Sequence, residues 1–356
     1  MERKRETVFV GLSGGVDSSV SAARLLKEGY RVVGVFIKTW APDFLDCNIE
    51  AERLDAMRVA ASLGIPFHTL DAEETYRVLV AEYMISEYKK GRTPNPDVMC
   101  NKFVKFGTFL EYAKKEGADL IATGHYAQVV SMGNSFKLKR GVDSSKDQSY
   151  FLWTITQKEL ARTLFPVGNS VKSEIRHEAA RYSLPTATKS DSQGICFLGQ
   201  VDMQDFLMHY VDLKKGDVLD STGMKVGMHS GALLYTFGQR HGFEVTVEGS
   251  ASTPYYVVGK DLDANTITVA RTPLHIKEKQ IQLTDINEIG DPFPTHCEAQ
   301  FRYRQKPFPV RISPDEGHGM LVTVLDDTTP MPSTGQSCVF YHGDECLGGG
   351  IINAIL

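Results

Sequence analysis

The chain has 356 residues, is 42% hydrophobic and 23% charged, and carries a formal net charge of −5. That is ordinary for a globular protein of two or three domains, each long enough to bury its own core. No apolar run approaches the roughly 20 residues that cross a bilayer, so no membrane association is expected, and any nucleic acid must be held by local basic patches against an unfavourable global field.

The opening Met1-Glu2-Arg3-Lys4-Arg5-Glu6 is partly basic but has early acids and no apolar stretch behind it. Neither a signal nor a transit peptide is expected, and a cytoplasmic protein is the default. Thr7 to Leu12 is a β-rich apolar run ending in Ser13-Gly14-Gly15, a turn signal. Ser18 to Glu28 reads as a helix, with Val20, Ala23 and Leu26 on one face and Gly29 suited to its C-terminal cap. Strands follow at Arg31–Ile37, Pro66–Leu70 and Leu120–Thr123, with helices at about Glu50–Leu63, Thr75–Lys90 and Lys102–Glu116. This alternation predicts an α/β fold with a doubly wound parallel sheet. Lys158 to Tyr182 reads as helical. From about Gly216 the chain becomes short strands broken by Gly, Pro, Asn and Asp, an all-β pattern that includes Tyr255–Val258, Thr266–Val269 and Leu321–Val324. Boundaries are expected near residues 205 and 280.

The loop Ser13-Gly14-Gly15-Val16-Asp17-Ser18 joins the first strand to the first helix. Ligands of doubly wound sheets sit beyond the carboxyl ends of strands. Paired glycines let backbone N–H groups approach an anion, and a helix start attracts phosphate. The loop is neither Gly-x-x-x-x-Gly-Lys nor Gly-x-Gly-x-x-Gly. The bland reading is a turn capped by Asp17 or Ser18.

Six cysteines lie at 47, 100, 196, 297, 338 and 346, with no Cys-x-x-Cys pair. They form neither a disulfide framework nor a zinc ribbon. In a reducing compartment such residues are buried fillers or reactive thiols. Cys100 follows Asn95-Pro96-Asp97-Val98-Met99, where two prolines, Pro94 and Pro96, are expected to forbid regular helix. Cys196 lies behind Ser192-Gln193-Gly194-Ile195, where Gly194 suggests a tight turn.

The hexamer Ser-Gly-Gly-x-Asp-Ser resembles the PP-loop of enzymes that cleave ATP to AMP and pyrophosphate. The likeness spreads along the chain. Gly11 to Ser19, Thr93 to Lys102, Gly124-His125-Tyr126-Ala127, Lys146 to Leu152 and Ser190 to Phe197 all look like the tRNA 2-thiouridylase (MnmA/TrmU) family. So do Gly238-Gln239-Arg240, Arg302-Tyr303-Arg304-Gln305 and Cys346-Leu347-Gly348-Gly349-Gly350. These motifs occur in family order from residue 11 to 350.

The resemblance implies a PP-loop (adenine nucleotide alpha hydrolase-like) catalytic domain over 1–204. It also implies a small, mostly-β central domain over 205–279 and a C-terminal, tRNA-binding β-barrel over 280–356. It implies ATP-dependent 2-thiolation of the wobble uridine of Lys, Glu and Gln tRNAs, through adenylation at C2 and sulfur transfer from a cysteine persulfide. Cys196 becomes the persulfide carrier, Cys100 the nucleophile and Asp97 the general acid/base, the alternative for Asp97 being a loop brace. Two thiols suit the chemistry, since a persulfide needs a second thiol to release its sulfur.

ATP would contact Gly11, Leu12, Ser13, Gly14, Gly15, Val16, Asp17, Ser18, Ile37 and Gly124. Ile37 stands where the family usually has Met and can equally be core. Magnesium is expected to come with ATP, and no signature assigns it a protein ligand. tRNA would contact Asn95, Pro96, Asp97, His125, Lys146, Asp147, Gln148, Arg302, Tyr303 and Gln336. For His125 the alternative is a satisfied structural histidine, for Tyr303 a barrel-core residue, and for the basic clusters a solvated surface. Thr334-Gly335-Gln336 departs from the family's Pro-Gly-Gln. An upstream persulfide donor, a desulfurase or a relay carrier, is a further implied partner. The competing readings are another PP-loop enzyme, such as an amidating or argininosuccinate-forming synthetase, and a non-catalytic nucleotide- and RNA-binding protein.

Overall fold

The computed structural model describes residues 5–45, 48–191, 203–246, 254–276, 279–315 and 319–356. Its first sheet contains β1 (Thr7–Gly11), β2 (Arg31–Lys38), β3 (Phe67–Asp71) and β4 (Leu120–Ala122). Side chains alternate across this sheet. Val8, Val10, Val32 and Phe36 pack with Ala22, Leu25, Ala56 and Val59 of the helices Val16–Lys27 and Ile49–Leu63. Phe9, Val33, Val35 and Ile37 pack with Val104, Phe106, Phe109 and Leu110 on the other face. Near-continuous apolar runs in β1 and β2 follow from burial on both faces.

Two strands, β5 (Ala127–Met132) and β6 (Ser135–Arg140), form a hairpin that leaves this sheet. The turn is Gly133-Asn134, with Gly133 at φ +66°, a two-residue hairpin signal that sequence reading had available. The fifth strand of the parallel sheet is β7 (Thr163–Leu164), giving the order β3-β2-β1-β4-β7.

The helix expected over Lys158–Tyr182 is therefore two helices, Gln157–Leu160 and Lys172–Arg181, with β7 between them. Pro166 and Gly168 interrupt the run, and Thr163-Leu164 is taken up by the edge of β4.

A second sheet of β8 (Gly216–Leu219), β9 (Lys225–His229), β10 (Phe243–Val245), β11 (Tyr256–Asp261) and β12 (Thr266–Ala270) has the order β10-β9-β8-β12-β11. It buries Val218, Val226, Tyr235, Val257, Ile267 and Val269. The remaining strands are β13 (Gln280–Glu288), β14 (His296–Gln300), β15 (Phe308–Asp315), β16 (Gly319–Val324), β17 (Ser337–His342) and β18 (Glu345–Ile355). They run β13-β16-β15-β14-β17-β18, and pairing of β13 with β18 closes a six-stranded barrel. Closure removes both edges. The β5–β6 hairpin adds to the outside of this barrel through Glu345↔Lys139 and Cys346↔Leu138.

The barrel is also joined to the nucleotide domain by buried polar contacts. Tyr150 donates its hydroxyl to the carbonyls of Phe301 at 2.9 Å and Ser337 at 3.1 Å, and Trp153 Nε1 donates to Ser337 Oγ at 2.9 Å. Among the described residues no helix is long and apolar enough to cross a membrane.

Candidate active site

In the parallel sheet, β1 pairs with β2 on one side and β4 on the other. The chain passes first toward β2 and later returns to β4, so the crevice beyond the carboxyl ends of β1 and β4 is the switch point. The Ser13–Ser18 loop follows β1 there, and Gly124 follows β4. Helix Val16–Lys27 starts in the loop, with Gly15 as its N-cap and Asp17 in its first turn. Ser18 ties the loop together: its Oγ accepts from Ser13 N at 3.2 Å and donates to Gly15 O at 3.2 Å. Ser19 Oγ donates to the same carbonyl at 2.7 Å.

Gly14, at φ +70°, lies so close to the second helix that a Cβ there would come within 2.6 Å of Glu52 O. Only glycine suits both demands. A Cβ on Gly124 would lie 2.7 Å from Ser18 N, so the loop rests directly on β4's end. Ile37 lies within β2, 6% exposed, near Gly11. The arrangement leaves a compact backbone cradle at a helix start, able to hold a nucleotide's phosphates.

Asp17 is held from two directions. Tyr126 donates its hydroxyl to Asp17 Oδ1 at 2.7 Å, and Lys172 Nζ reaches both carboxylate oxygens at 2.7 and 2.8 Å. Lys172 also pairs with Asp191 at 2.9 Å. Asp191 in turn receives Lys146 at 2.7 Å and Arg176 at 2.5 Å. Partial burial pushes the Asp191 carboxyl up, but hydrogen bonds from Lys146 and Lys172 outweigh it and hold the group well below the usual carboxylate range. A folded-state pKa below the unfolded one stabilises the fold above the unfolded value and loses that contribution as pH falls. Asp191→Asn is therefore expected to lower Tm by about 2–4 °C at pH 7. The gap to the parent should close as pH falls below about 4. A pH series of thermal melts checks it, and a gap that stays constant down to pH 2.5 would contradict it.

Cys100 lies on the opposite sheet face from the first two helices. The expectation of no regular helix around it is corrected. Pro96–Met99 is a helical turn that continues as a π-type run over Cys100–Thr108. Pro96 sits at the first helical position, where its missing N–H costs nothing, and Asn95 Oδ1 caps the turn by accepting from Val98 N at 3.3 Å. Asp97 and Cys100 are three residues apart on this helical stretch, hence on the same side. Cys100 is fully buried and Asp97 half-buried.

Next to Cys100, Asn101 donates from Nδ2 to Phe151 O at 2.9 Å, while its Oδ1 is buried without a hydrogen-bond partner. Just upstream, Thr93 joins three parts of the chain. Its N–H donates to Thr334 O at 2.8 Å, its carbonyl accepts from Gln336 Nε2 at 2.9 Å, and its hydroxyl lies 3.0 Å from that of Thr236. Gln336 thus fixes the entry to the Asn95–Cys100 stretch.

The other candidates scatter. His125 is 7% exposed, with Nδ1 2.7 Å from Thr123 Oγ1. Burial, helped by the charge of Lys105, holds its pKa well below the usual imidazole value. Its ring is thus engaged within the protein, on Thr123. Asp147, 8% exposed, is spent on Arg140, the N–H groups of Gly141 and Ser149, and the Ser149 hydroxyl. Gln148 accepts from Tyr126 N at 3.0 Å. Both brace the chain around Tyr126 and Gly141. Lys146 faces Asp191, beside the loop.

Arg302 bridges the second sheet and the barrel, donating to Phe237 O at 2.7 Å and Met331 O at 3.2 Å. Tyr303 packs on Phe151 at a centroid distance of 4.6 Å. Cys196 and its motif Ser192–Phe197 lie outside the described residues, as does Cys47. Burial pushes the thiols of Cys297 and Cys346 up to about 12 and that of Cys338 up as well, which disfavours the reactive thiolate at all three. Sequence reading missed Lys172 and Arg176, and Tyr126 was visible only as part of the Gly124–Ala127 motif. Asp191 was visible only as part of the Ser190–Phe197 motif.

A phosphate-cradling loop at the switch point of a parallel sheet, followed by a five-stranded sheet and a closed barrel, defines a PP-loop nucleotide-binding protein with two β appendages. Residues 6–200 match a family described as tRNA methyl transferase HUP domain, 204–271 a tRNA methyl transferase PRC-barrel domain, and 278–352 an aminomethyltransferase beta-barrel domain. The chain is 42% identical over 366 residues to the tRNA-specific 2-thiouridylase MnmA of Enterococcus faecalis, covering 99% of this chain and 96% of that one. It is 43% identical over 355 residues to the protein of the same name from Listeria innocua, covering 98% and 95%. The chain belongs to the tRNA-specific 2-thiouridylase family.

Proposed function

We propose that this enzyme uses ATP to replace the C2 oxygen of a wobble uridine in Lys, Glu and Gln tRNAs by sulfur, yielding 2-thiouridine, AMP and pyrophosphate. The observation that carries the reading is the likeness to 2-thiouridylases across 99% of the chain. Residues 1–204 would cleave the nucleotide, 280–356 would bind tRNA, and 205–279 would link them in a protein working in the cytoplasm.

The loop Gly11, Leu12, Ser13, Gly14, Gly15, Val16, Asp17 and Ser18 would hold the phosphates through its N–H groups, with Gly124 and Ile37 nearer the nucleoside. Magnesium would be carried by phosphate oxygens and water. Among the described residues no cluster of three or more His, Cys, Asp or Glu side chains could hold a metal, and Asp17 is already engaged by Lys172.

The chemistry begins with a poor leaving group. Attack of the uracil O2 on the α-phosphate expels pyrophosphate and turns that oxygen into part of AMP. Asp97 would manage the base's proton. The terminal sulfur of a Cys196 persulfide attacks C2 and AMP departs. Cys100 thiolate then attacks Cys196 Sγ, releasing the sulfur as the thiocarbonyl and leaving a Cys100–Cys196 disulfide. In the variant order, Cys100 frees hydrosulfide first. Either way two electrons from an external thiol regenerate the pair, and an upstream persulfide donor reloads Cys196. Because Cys100 is fully buried, the groups covering it must yield before a base can meet it. Of the tRNA candidates, Arg302, Tyr303 and Gln336 would shape the entrance from the barrel side, with Asn95 and Pro96 below.

The test supplies unmodified tRNA, ATP and a persulfide donor, and counts pyrophosphate and 2-thiouridine. One of each per turnover is expected, with Cys196→Ser losing the 2-thiouridine. Pyrophosphate release driven by a small acceptor and not by tRNA would instead indicate a synthetase. No release at all would indicate a binding module.

A further inference from the structure

Residues 186–191 are tied three times to the phosphate loop and the helices that flank it. Thr186 Oγ1 donates to Ser19 Oγ at 3.0 Å, in the first helix. Lys189 Nζ pairs with Asp55 at 2.8 Å, and Asp55 underlies Gly14, whose Cβ would lie 3.1 Å from Asp55 Cβ. Asp191 meets Lys172, which also grips Asp17 of the loop itself. Arg176 closes the stretch from behind, donating to Lys189 O at 2.9 Å and to Asp191 at 2.5 Å. The Lys172 side chain is only 12% exposed and sits between the two carboxylates.

We propose that Lys172 is a positioning residue that registers the departure point of the Cys196 segment against the phosphate loop. The proposal rests on the sulfur-transfer reading above. Cys196 is five residues beyond Asp191. Whatever path the chain takes, five residues span at most about 17 Å. Pinning Asp191 to Asp17 therefore fixes, relative to the phosphate loop, the point from which that length is measured. A lysine holding only Asp17 would brace the loop, and one holding only Asp191 would brace the 186–191 stretch. Lys172 holds both, across sequence separations of 155 and 19 residues. Positional errors of about 1 Å cost up to about 100-fold in reactions that depend on alignment. Adenylation needs the loop alone, whereas sulfur delivery needs the loop and the Asp191 stretch held in register, so loss of the bridge should cost delivery more than adenylation.

The discriminating quantity is pyrophosphate released per 2-thiouridine formed. In Lys172→Met the adenylated uridine would wait for sulfur and be hydrolysed by water to uridine and AMP. The ratio should rise from about one in the parent to about ten or more, with thiolation falling far more than pyrophosphate release. Lys172→Arg should return the ratio toward one. If Lys172→Met does not fold, Asp191→Asn removes the same tie while leaving Lys172 on Asp17, and its ratio should rise too. A ratio staying near one in either folded variant, however far both products fall, would overturn the proposal, because Lys172 would then only shape the nucleotide site. If the parent itself released no tRNA-dependent pyrophosphate, the underlying reading would fail first and take this one with it.

Discussion

Cys100→Ser is expected to reduce 2-thiouridine formation by at least about 1000-fold while leaving tRNA-dependent pyrophosphate release within a few-fold of the parent. A serine hydroxyl cannot take part in disulfide exchange, so the sulfur on Cys196 has no exit. The side chain at this position is fully buried. Its replacement by a hydroxyl costs about 1–3 kcal/mol if no partner is found, so a thermal melt must accompany the assay. The two orders of sulfur release differ in what accumulates. If the persulfide attacks C2 before Cys100 acts, the variant should trap a tRNA–S–S–Cys196 adduct that dithiothreitol cleaves to 2-thiouridine. If hydrosulfide is freed first, no adduct forms. Multiple turnovers of 2-thiouridine by Cys100→Ser, without added thiol, would remove Cys100 from the mechanism.

Much of this site could be read in the linear sequence because its parts are local. Thr7–Leu12 followed by Ser13-Gly14-Gly15 is a strand, a turn and a helix start within a dozen residues, and the parallel sheet follows from repeating that pattern. The Asn95–Asn101 stretch misled for a local reason. Pro96 forbids helix at interior positions but favours it at the first one, and the cap that decides between them is Asn95 immediately before it. The Lys158–Tyr182 error was tertiary. Thr163 and Leu164 have little strand character alone and become β7 only because β4 offers an edge. The ties of Lys172 were out of reach, since Asp17 is 155 positions away and no periodicity links a charge in one helix to a charge in another. The same holds for the burial of His125 and Asp147, which residue type alone does not reveal.

Gly124→Ala should cost at least about 100-fold in ATP affinity, since it moves the cradle itself. A Cβ at this position would lie 2.7 Å from Ser18 N, 2.9 Å from Asp17 C and 3.1 Å from Asp17 Cβ. Two of those are backbone atoms, and no rotamer change can relieve them. The loop has to retreat by about 0.5 Å or more in a close-packed setting, and its N–H groups lose their common focus. The effect is spatial: unlike Gly14, Gly124 does not need a left-handed backbone. Affinity for tRNA should stay within about threefold of the parent, because the barrel and the Arg302 bridge lie elsewhere. Calorimetric titration with ATP, beside a tRNA gel shift on the same preparation, separates the two. Parent-like ATP affinity in Gly124→Ala would mean that the phosphates do not sit on the Ser13–Ser18 loop. The adenylation step would then have to be sought at another place on the sheet.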